Sequence, residues 1–341
     1  MKDVVRLAFI GLGPMGTDLL RAAVAHPAAD VTALCDGSPE ALASAKSIAN
    51  EKPATFSDYR TMLHDAKLDA VVVAVPQHLH AQVTIDCLQH GLTTFCEKPM
   101  GLSVNQCMSM IAAAKSVGKG LMIGQVLRYI GPYRFILERI ASGDLGVPLV
   151  MRTTRTMGNW GSWARPWRLQ RETSGGLLLE VNVHELDLML QILGPASSVT
   201  AIDRRFPNSE VDFSDFITAQ IEFQNGSIGT ITSSCGDQLG RHSGEVFLTN
   251  GTIYYESLLD QVLIGQSGKE REVFPYAEIH PEWENGVARE MREFIEACLG
   301  QREISIPGED GLRAVELAQA AYQSAAEKRT VHLPLHLPLP A

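Results

Sequence analysis

Apolar residues in the first third of the chain fall in runs of strand length, each followed by a stretch of helical composition. VVRLAFI at 4–10 and LDAVVVAV at 68–75 carry almost no polar residue. Runs without polar alternation suit strands covered on both faces, as in a parallel sheet. Shorter runs at 30–34, 93–96 and 121–126 repeat the pattern. Residues 17–25, 81–90 and 103–117 read as helices, the last two stopped by Gly91 and Gly118. Strand and helix thus alternate as a doubly wound sheet requires. The second half changes character. Residues 148–157 and 197–275 read as strands divided by Gly-, Asn- and Asp-bearing turns, with hairpin signals at Asn225-Gly226 and Asn250-Gly251. Amphipathic helices follow at 283–299 and 309–327, then an extended tail from Thr330.

A chain of 341 residues is long for a single core. The pattern divides it at 126: a dinucleotide-type α/β domain over 1–126 and a strand-rich second domain over 127–341, whose last helix and tail are free to pack back on the first. A net charge of -10 argues against a nucleic-acid partner. No apolar run is long enough to span a bilayer, and the short run at the start leads straight into a glycine turn, without a signal peptide's cleavage site. A cytoplasmic protein with no membrane partner is expected. The six cysteines are scattered with no CxxC spacing, so neither a disulfide framework nor a metal site is expected.

Candidate chemistry begins at Gly11-Leu12-Gly13-Pro14-Met15-Gly16, a GxGxxG between a strand and a helix. Gly11 permits the tight turn, Gly13 lets the backbone approach a pyrophosphate, and Gly16 allows close helix–strand packing. Asp36, after the second strand, suits the ribose hydroxyls; the alternative is that it opens the Gly37-Ser38-Pro39 turn. No basic residue follows Asp36 closely to neutralise a 2′-phosphate, which favours NAD over NADP. The strand at 93–96 delivers Glu97-Lys98-Pro99. A lysine at the carboxyl end of a parallel strand sits where open α/β sheets bind ligands, and Pro99 restricts it and makes a cis bond available. The bland alternative is a surface ion pair between Glu97 and Lys98.

These segments resemble the Gfo/Idh/MocA oxidoreductases: GLGPMG, VPQHLH, CEKP, QVLRYIGPY, SGGLLLEVNVHELDLM and AAYQSAAEKRTVHLP, in that order. The resemblance implies an amino-terminal Rossmann domain with a doubly wound parallel sheet and a carboxyl-terminal α/β domain on an open, mainly antiparallel sheet. It implies an NAD(P)-dependent dehydrogenase acting on the hydroxyl of a sugar or polyol. Cofactor contacts would come from Gly11, Gly13, Pro14, Met15 and Gly16, from Asp36, Gly37 and Ser38, and from Val75, Pro76 and His80. Glu97, Lys98, Gln125, Trp167 and Arg168 would complete them. Lys98, His184 and Glu180 would be catalytic, and they would also touch substrate together with Arg128, Trp160, Trp163 and Arg168.

On the residues themselves, 179–193 predicts one helix after Gly175-Gly176, with Glu180, His184 and Asp187 on a single face. Carboxylate, imidazole and carboxylate on one stripe can tune a proton-transfer group near neutral pH; a solvated polar face has the same spacing. The family pattern here is Asp-x-Gly-x-His-x-x-Asp, so Glu180 and Asn182 depart from it. His184 would take a hydroxyl proton while Lys98 stabilises the same oxygen, or the reverse. That requires the two groups to meet at one atom. Arg152, Arg155, Arg165, Arg168 and Arg171 crowd an otherwise acidic chain. They suit either an anionic substrate group or exposed and cofactor-facing positions. Two other functions fit the same motifs: a glycoside hydrolase working by transient oxidation and elimination on NAD, and a non-catalytic NAD-binding regulator. An exposed apolar sheet in the second domain favours a homodimer or homotetramer.

Overall fold

The computed structural model describes residues 4–158, 160, 164–207, 209–256, 261–279 and 285–335. The chain divides into two compact units, Met1–Tyr129 with Glu284–Leu312, and Ile130–Trp283 with Arg313–Ala341. The first follows the predicted alternation: β1 (Val5–Ile10), α1 (Pro14–Val24), β2 (Ala29–Cys35), α2 (Pro39–Ile48), β3 (Ala54–Phe56), α3 (Tyr59–Asp65), β4 (Ala70–Val73), α4 (His80–Gln89), β5 (Thr93–Glu97), α5 (Val104–Val117) and β6 (Leu121–Gly124). Among the described residues its sheet runs β3-β2-β1-β4-β5-β6, with every pairing parallel. β4 is buried along its whole length. Its Val71 and Val73 pack with Ala8, Ile10, Ala33 and Met62 on one side of the sheet. Each of the valines, the isoleucine and the methionine contributes roughly 1.5–3 kcal/mol on burial. The strand order reverses between β1 and β4, and the carboxyl ends at such a reversal form a ligand crevice.

The second unit contains α6 (Gly131–Ala141), β7 (Pro148–Thr156), α7 (Arg171–Ser174), α8 (Leu177–Glu180), α9 (Val183–Leu193), β8 (Ala196–Arg204), β9 (Phe216–Phe223), β10 (Ile228–Ser234), β11 (Arg241–Leu248), β12 (Gly251–Glu256), β13 (Gln261–Gly265) and β14 (Glu272–Pro275). Asn225-Gly226 joins β9 to β10 and Asn250 leads into β12 at Gly251, as the hairpin signals require. Ile217, Ala219, Ile221 and Phe223 alternate inward along β9. One expectation needs correction. The single helix over 179–193 is two, α8 and α9, broken at Val181 and Asn182. Asn182 is a weak helix interior residue whose side chain competes for other bonds, and here its Oδ1 accepts from the Ser233 hydroxyl on β10.

After 284 the chain returns to the first unit as α10 (Gly286–Cys298). Phe294 of α10 packs edge-on against Phe95 of β5, ring centres 5.6 Å apart. α11 (Gly308–Glu327) then starts in the first unit and continues into the second at Arg313, and β15 (Val331–His332) pairs antiparallel with β8. The returning segment is therefore α10, and the last helix and tail, expected to pack back, belong chiefly to the second unit. Amphipathicity shows that α10 needs a partner surface, but not which one. With β15 added, the second sheet runs β14-β13-β12-β11-β7-β10-β9-β8-β15, antiparallel except where β7 meets β10. Among the described residues no helix is long and apolar enough to cross a membrane. Residues 336–341 of the Leu-Pro tail lie outside the described residues.

Candidate active site

The glycine turn sits at the carboxyl end of β1, over the reversal in strand order. Gly11 adopts φ +90°, and a Cβ there would lie 2.5 Å from the Ala74 carbonyl oxygen; at Gly16 a Cβ would lie 2.1 Å from that of Gly11. Both positions need glycine for close packing. Gly13 precedes α1 in extended conformation and no side chain caps the helix, while Pro14 brings no N–H of its own. The first-turn N–H groups of α1 and its positive dipole end therefore suit an anion. Asp36 is half-buried, and its two oxygens accept from the Leu12 N–H at 2.7 Å and the Ser38 N–H at 2.8 Å. One carboxylate thus ties the glycine turn to the turn after β2. Ser38 caps α2 by accepting from the Ala41 N–H at 3.1 Å. Val75 and Pro76 follow β4 beside this loop. An uncapped helix, glycines with no room for a side chain and a carboxylate at the end of β2 together fit a dinucleotide.

β5 ends at Glu97, and the Lys98–Pro99 peptide after it is cis. The Glu97 side chain turns into the unit: it is 6% exposed, its Oε2 accepts from the Lys98 N–H at 3.1 Å, and a Cβ at Gly124 would lie 2.9 Å from its Oε1. Burial pushes this carboxyl up to about 7, against the pull of the Lys98 charge. A solvated Glu97–Lys98 surface pair is not what forms. His80 is buried, with Nδ1 2.7 Å from the Pro99 carbonyl oxygen and Nε2 2.9 Å from that of Val75. Burial outweighs the two carbonyls and lowers it to about 4, so the ring is neutral and donates to one of them from its place between the Lys98–Pro99 corner and the end of β4.

Gln125 is buried just after β6, and its backbone N–H donates to the Ile123 carbonyl at 2.8 Å. That tight turn carries the chain toward Arg128. The Arg128 guanidinium Nη1 lies 2.8 Å from Asp310 Oδ2, in an ion pair largely shielded from solvent. Nothing in the sequence pattern marked Asp310 as its partner.

In the second unit His184 opens α9 and Asp187 follows one turn later, both buried. Glu180, expected on the same stripe, ends α8 on the far side of the break. Its Oε1 lies 2.7 Å from Arg168 Nη1, and that guanidinium also sits 5.0 Å from the centre of the Trp167 ring. Glu180, Trp167 and Arg168 are thus brought together, and Glu180 and His184 stand on two separate helices. Gly175 and Gly176, at φ +75° and +84°, start α8 against Tyr322 of α11, whose hydroxyl accepts from the Leu178 N–H at 2.7 Å. Trp160 is buried; Trp163 lies outside the described residues.

A cluster that the sequence reading missed sits directly behind His184. Glu185 is fully buried, and its Oε1 meets Arg155 Nη1 at 2.9 Å, His242 Nε2 at 3.2 Å and the Tyr133 hydroxyl at 3.2 Å. Burial alone would raise this carboxyl, but Arg155 and then His242 outweigh it and hold it well below the usual range. Arg155 and His242 are register partners on β7 and β11, a relation invisible before the strands are paired. Of the five crowded arginines, Arg152 meets Glu245, Arg155 meets Glu185, Arg168 meets Glu180, and Arg171 lies over Tyr322 at 4.2 Å. These four have partners within the unit, which weakens the case for an anionic substrate group.

Two family models match the chain. One, described as an oxidoreductase family with an NAD-binding Rossmann fold, covers residues 5–125; the other, its carboxyl-terminal alpha/beta domain, covers 137–333. A myo-inositol 2-dehydrogenase of Thermotoga maritima is 26% identical, with 96% of this chain and 98% of that protein covered. A 2,7-anhydro-N-acetylneuraminate hydratase of Escherichia coli is 28% identical over 67% of this chain and 61% of that protein. Among solved structures, an oxidoreductase from Agrobacterium radiobacter in complex with NAD+, L-tartaric acid and magnesium superposes with a TM-score of 0.85 at 22% identity. There 96% of this chain and 98% of that one are covered.

Proposed function

Because the chain belongs to the Gfo/Idh/MocA oxidoreductase family, we propose that it moves a hydride between NAD and a secondary hydroxyl of a sugar, cyclitol or glycoside. The observation that carries this reading is Lys98 at the carboxyl end of β5, in the unit that also bears the NAD-binding loop. Likeness to an inositol dehydrogenase over nearly the whole of both chains supports the substrate class. NAD, when bound, supplies the hydride acceptor. The first-turn N–H groups of α1 hold its pyrophosphate, and Asp36 meets the ribose hydroxyls while opposing a 2′-phosphate. The Lys98 ammonium donates to the substrate oxygen and stabilises the negative charge that develops there. His184 accepts the hydroxyl proton during oxidation and returns it during reduction. Asp187, one turn along α9, holds that helix from behind. Glu180 and Arg168, paired beside Trp167, line the substrate side.

The test follows NADH absorbance with a panel of inositols, aldoses, anhydrosugars and glycosides. NADH should accumulate with at least one free polyol or sugar. Lys98→Met should bind NADH within about threefold of wild type while turnover falls by about a hundredfold or more, the scale of a lost acid–base or oxyanion contact. Turnover within about tenfold of wild type would remove Lys98 from the chemistry. A second reading is a redox-neutral reaction in which tightly held NAD is transiently reduced, followed by elimination or hydration. Likeness to a hydratase supports it. It would consume an anhydrosugar or glycoside with no net NADH.

A further inference from the structure

Behind the Lys98–Pro99 corner the first unit buries two acidic side chains, Glu97 and Glu290. Phe95 and Glu97 are two residues apart on β5 and so point to the same face; Phe294 and Glu290 are one turn apart on α10 and share a stripe. The rings of Phe95 and Phe294 are in contact at 5.6 Å. That contact fixes the register of the two elements and brings Glu290 toward Glu97. Glu290 is fully buried, and neither of its oxygens has a hydrogen-bond partner among the described residues; nor does Oε1 of Glu97. Three buried carboxyl oxygens without a donor would be costly as two anions. A proton held by the carboxyls themselves supplies the missing donor.

We propose that Glu290 is a positioning residue that keeps a proton and shares it with Glu97, so that the pair carries one negative charge behind Lys98. The groups facing it support this. Burial raises Glu290 well above the usual carboxylate range, the charges of Glu97 and Glu293 raise it further, and Arg128 only partly opposes them. Arg128 is itself paired with Asp310, and Glu293 is held by Ser305, Tyr129, Arg289 and Arg302. Glu97 is the member that ionises first, near 7, helped by Lys98. Lys98 therefore gains a neighbouring anion only from about neutral pH upward. The charge state of the pair follows from the packing; its use in turnover rests on the role given to Lys98 above.

The test is an infrared titration of the intact protein, which separates carboxylic acid from carboxylate bands and needs no substrate. Wild type should keep a protonated-acid band at about pH 8, well above the ordinary carboxylate range, and Glu290→Gln should abolish it. In Glu97→Gln the band should persist but titrate away at lower pH, because the charge that raised Glu290 is gone. A band absent from wild type at that pH, unchanged in Glu290→Gln, or unmoved in Glu97→Gln would overturn the proposal. Stability gives an independent readout. A folded-state carboxyl raised above its unfolded value loses stability as pH rises, at about tenfold in the folding constant per pH unit. Glu290→Gln removes that slope, so its folding constant should gain on wild type by up to about tenfold per pH unit above the ordinary carboxylate range. A ratio flat with pH would also overturn the proposal. Failure of the dehydrogenase assay would leave both of these readouts standing.

Discussion

Replacing Arg155 by Met tests what holds the helix that carries His184. Glu185, the next residue on α9, is fully buried, and Arg155 is its leading charge partner at 2.9 Å with 22% of its side chain exposed. Removing one partner of a buried pair leaves the other charge uncompensated, at about 3–5 kcal/mol. Tyr133 and His242 still face Oε1, and Arg155 is not wholly desolvated, so the low end, about 3 kcal/mol, is the expectation at neutral pH. For a unit of this size that corresponds to a drop in Tm of roughly 6–12 °C. The sign with pH is more diagnostic. In the native protein the Glu185 carboxyl is held below its ordinary value, so its contribution is present above the usual carboxylate range and is lost only on strong acidification. Without Arg155, burial is opposed chiefly by His242 and His184, so the folded carboxyl rises from its depressed value. The cost of the substitution therefore grows as pH increases out of the acid range, by up to about 1.4 kcal/mol per unit, and levels off once the carboxyl is ionised. Since two units can unfold separately, thermal melts should be joined to hydrogen exchange of the α9 segment. Adding Glu185→Gln to the Arg155 variant should restore most of the loss and flatten the pH dependence. A cost below about 1 kcal/mol, or an equal cost at acid and alkaline pH, would refute the argument.

Two further substitutions test the geometry of each unit. Gly16→Ala places a Cβ 2.1 Å from the Gly11 carbonyl oxygen, so the loop must shift; NAD affinity measured by calorimetry should fall by about tenfold or more. An unchanged Kd would show that the turn does not hold the pyrophosphate. Tyr322→Phe removes the acceptor of the Leu178 N–H at the start of α8, and a buried donor left unmade costs about 1–3 kcal/mol. Melting at an unchanged temperature would mean that another group or a water takes the bond.

Much of this was legible because periodicity and turn chemistry act locally. The alternation of apolar runs and helices yields the six-stranded parallel sheet, and the two Asn-Gly turns lie where β9 passes to β10 and β11 to β12. Asp36 at the end of β2 and Lys98 at the end of β5 could be placed for the same reason, since the carboxyl ends of parallel strands are readable from the runs that precede them. What escaped depends on pairings distant in sequence. Arg155 meets Glu185 only because β7 lies beneath α9, and Arg128 meets Asp310 across 182 residues of chain. Glu290 looked like one polar residue on an amphipathic helix; burial against β5 turned it into an orphaned acid. The arginines were misleading for a related reason. Their crowding reflects several separate ion pairs, each made with a residue elsewhere in the fold.

The break in the 179–193 segment ties its two departures from the family pattern together. A continuous helix would have carried Glu180 and His184 on one stripe. Asn182 ends that continuity because its side-chain oxygen takes the Ser233 hydroxyl of β10, anchoring the backbone to the sheet between the two residues. The carboxyl at 180 ends the first of the two helices and reaches Arg168 at 2.7 Å. The longer glutamate and the asparagine therefore act on opposite sides of one pinned turn. Arg168 holds it from the loop that bears Trp167, and β10 holds it from the sheet. His184 begins its own helix from that fixed point, and Glu185 beneath it is paired with Arg155, so the imidazole is held from both sides of the break.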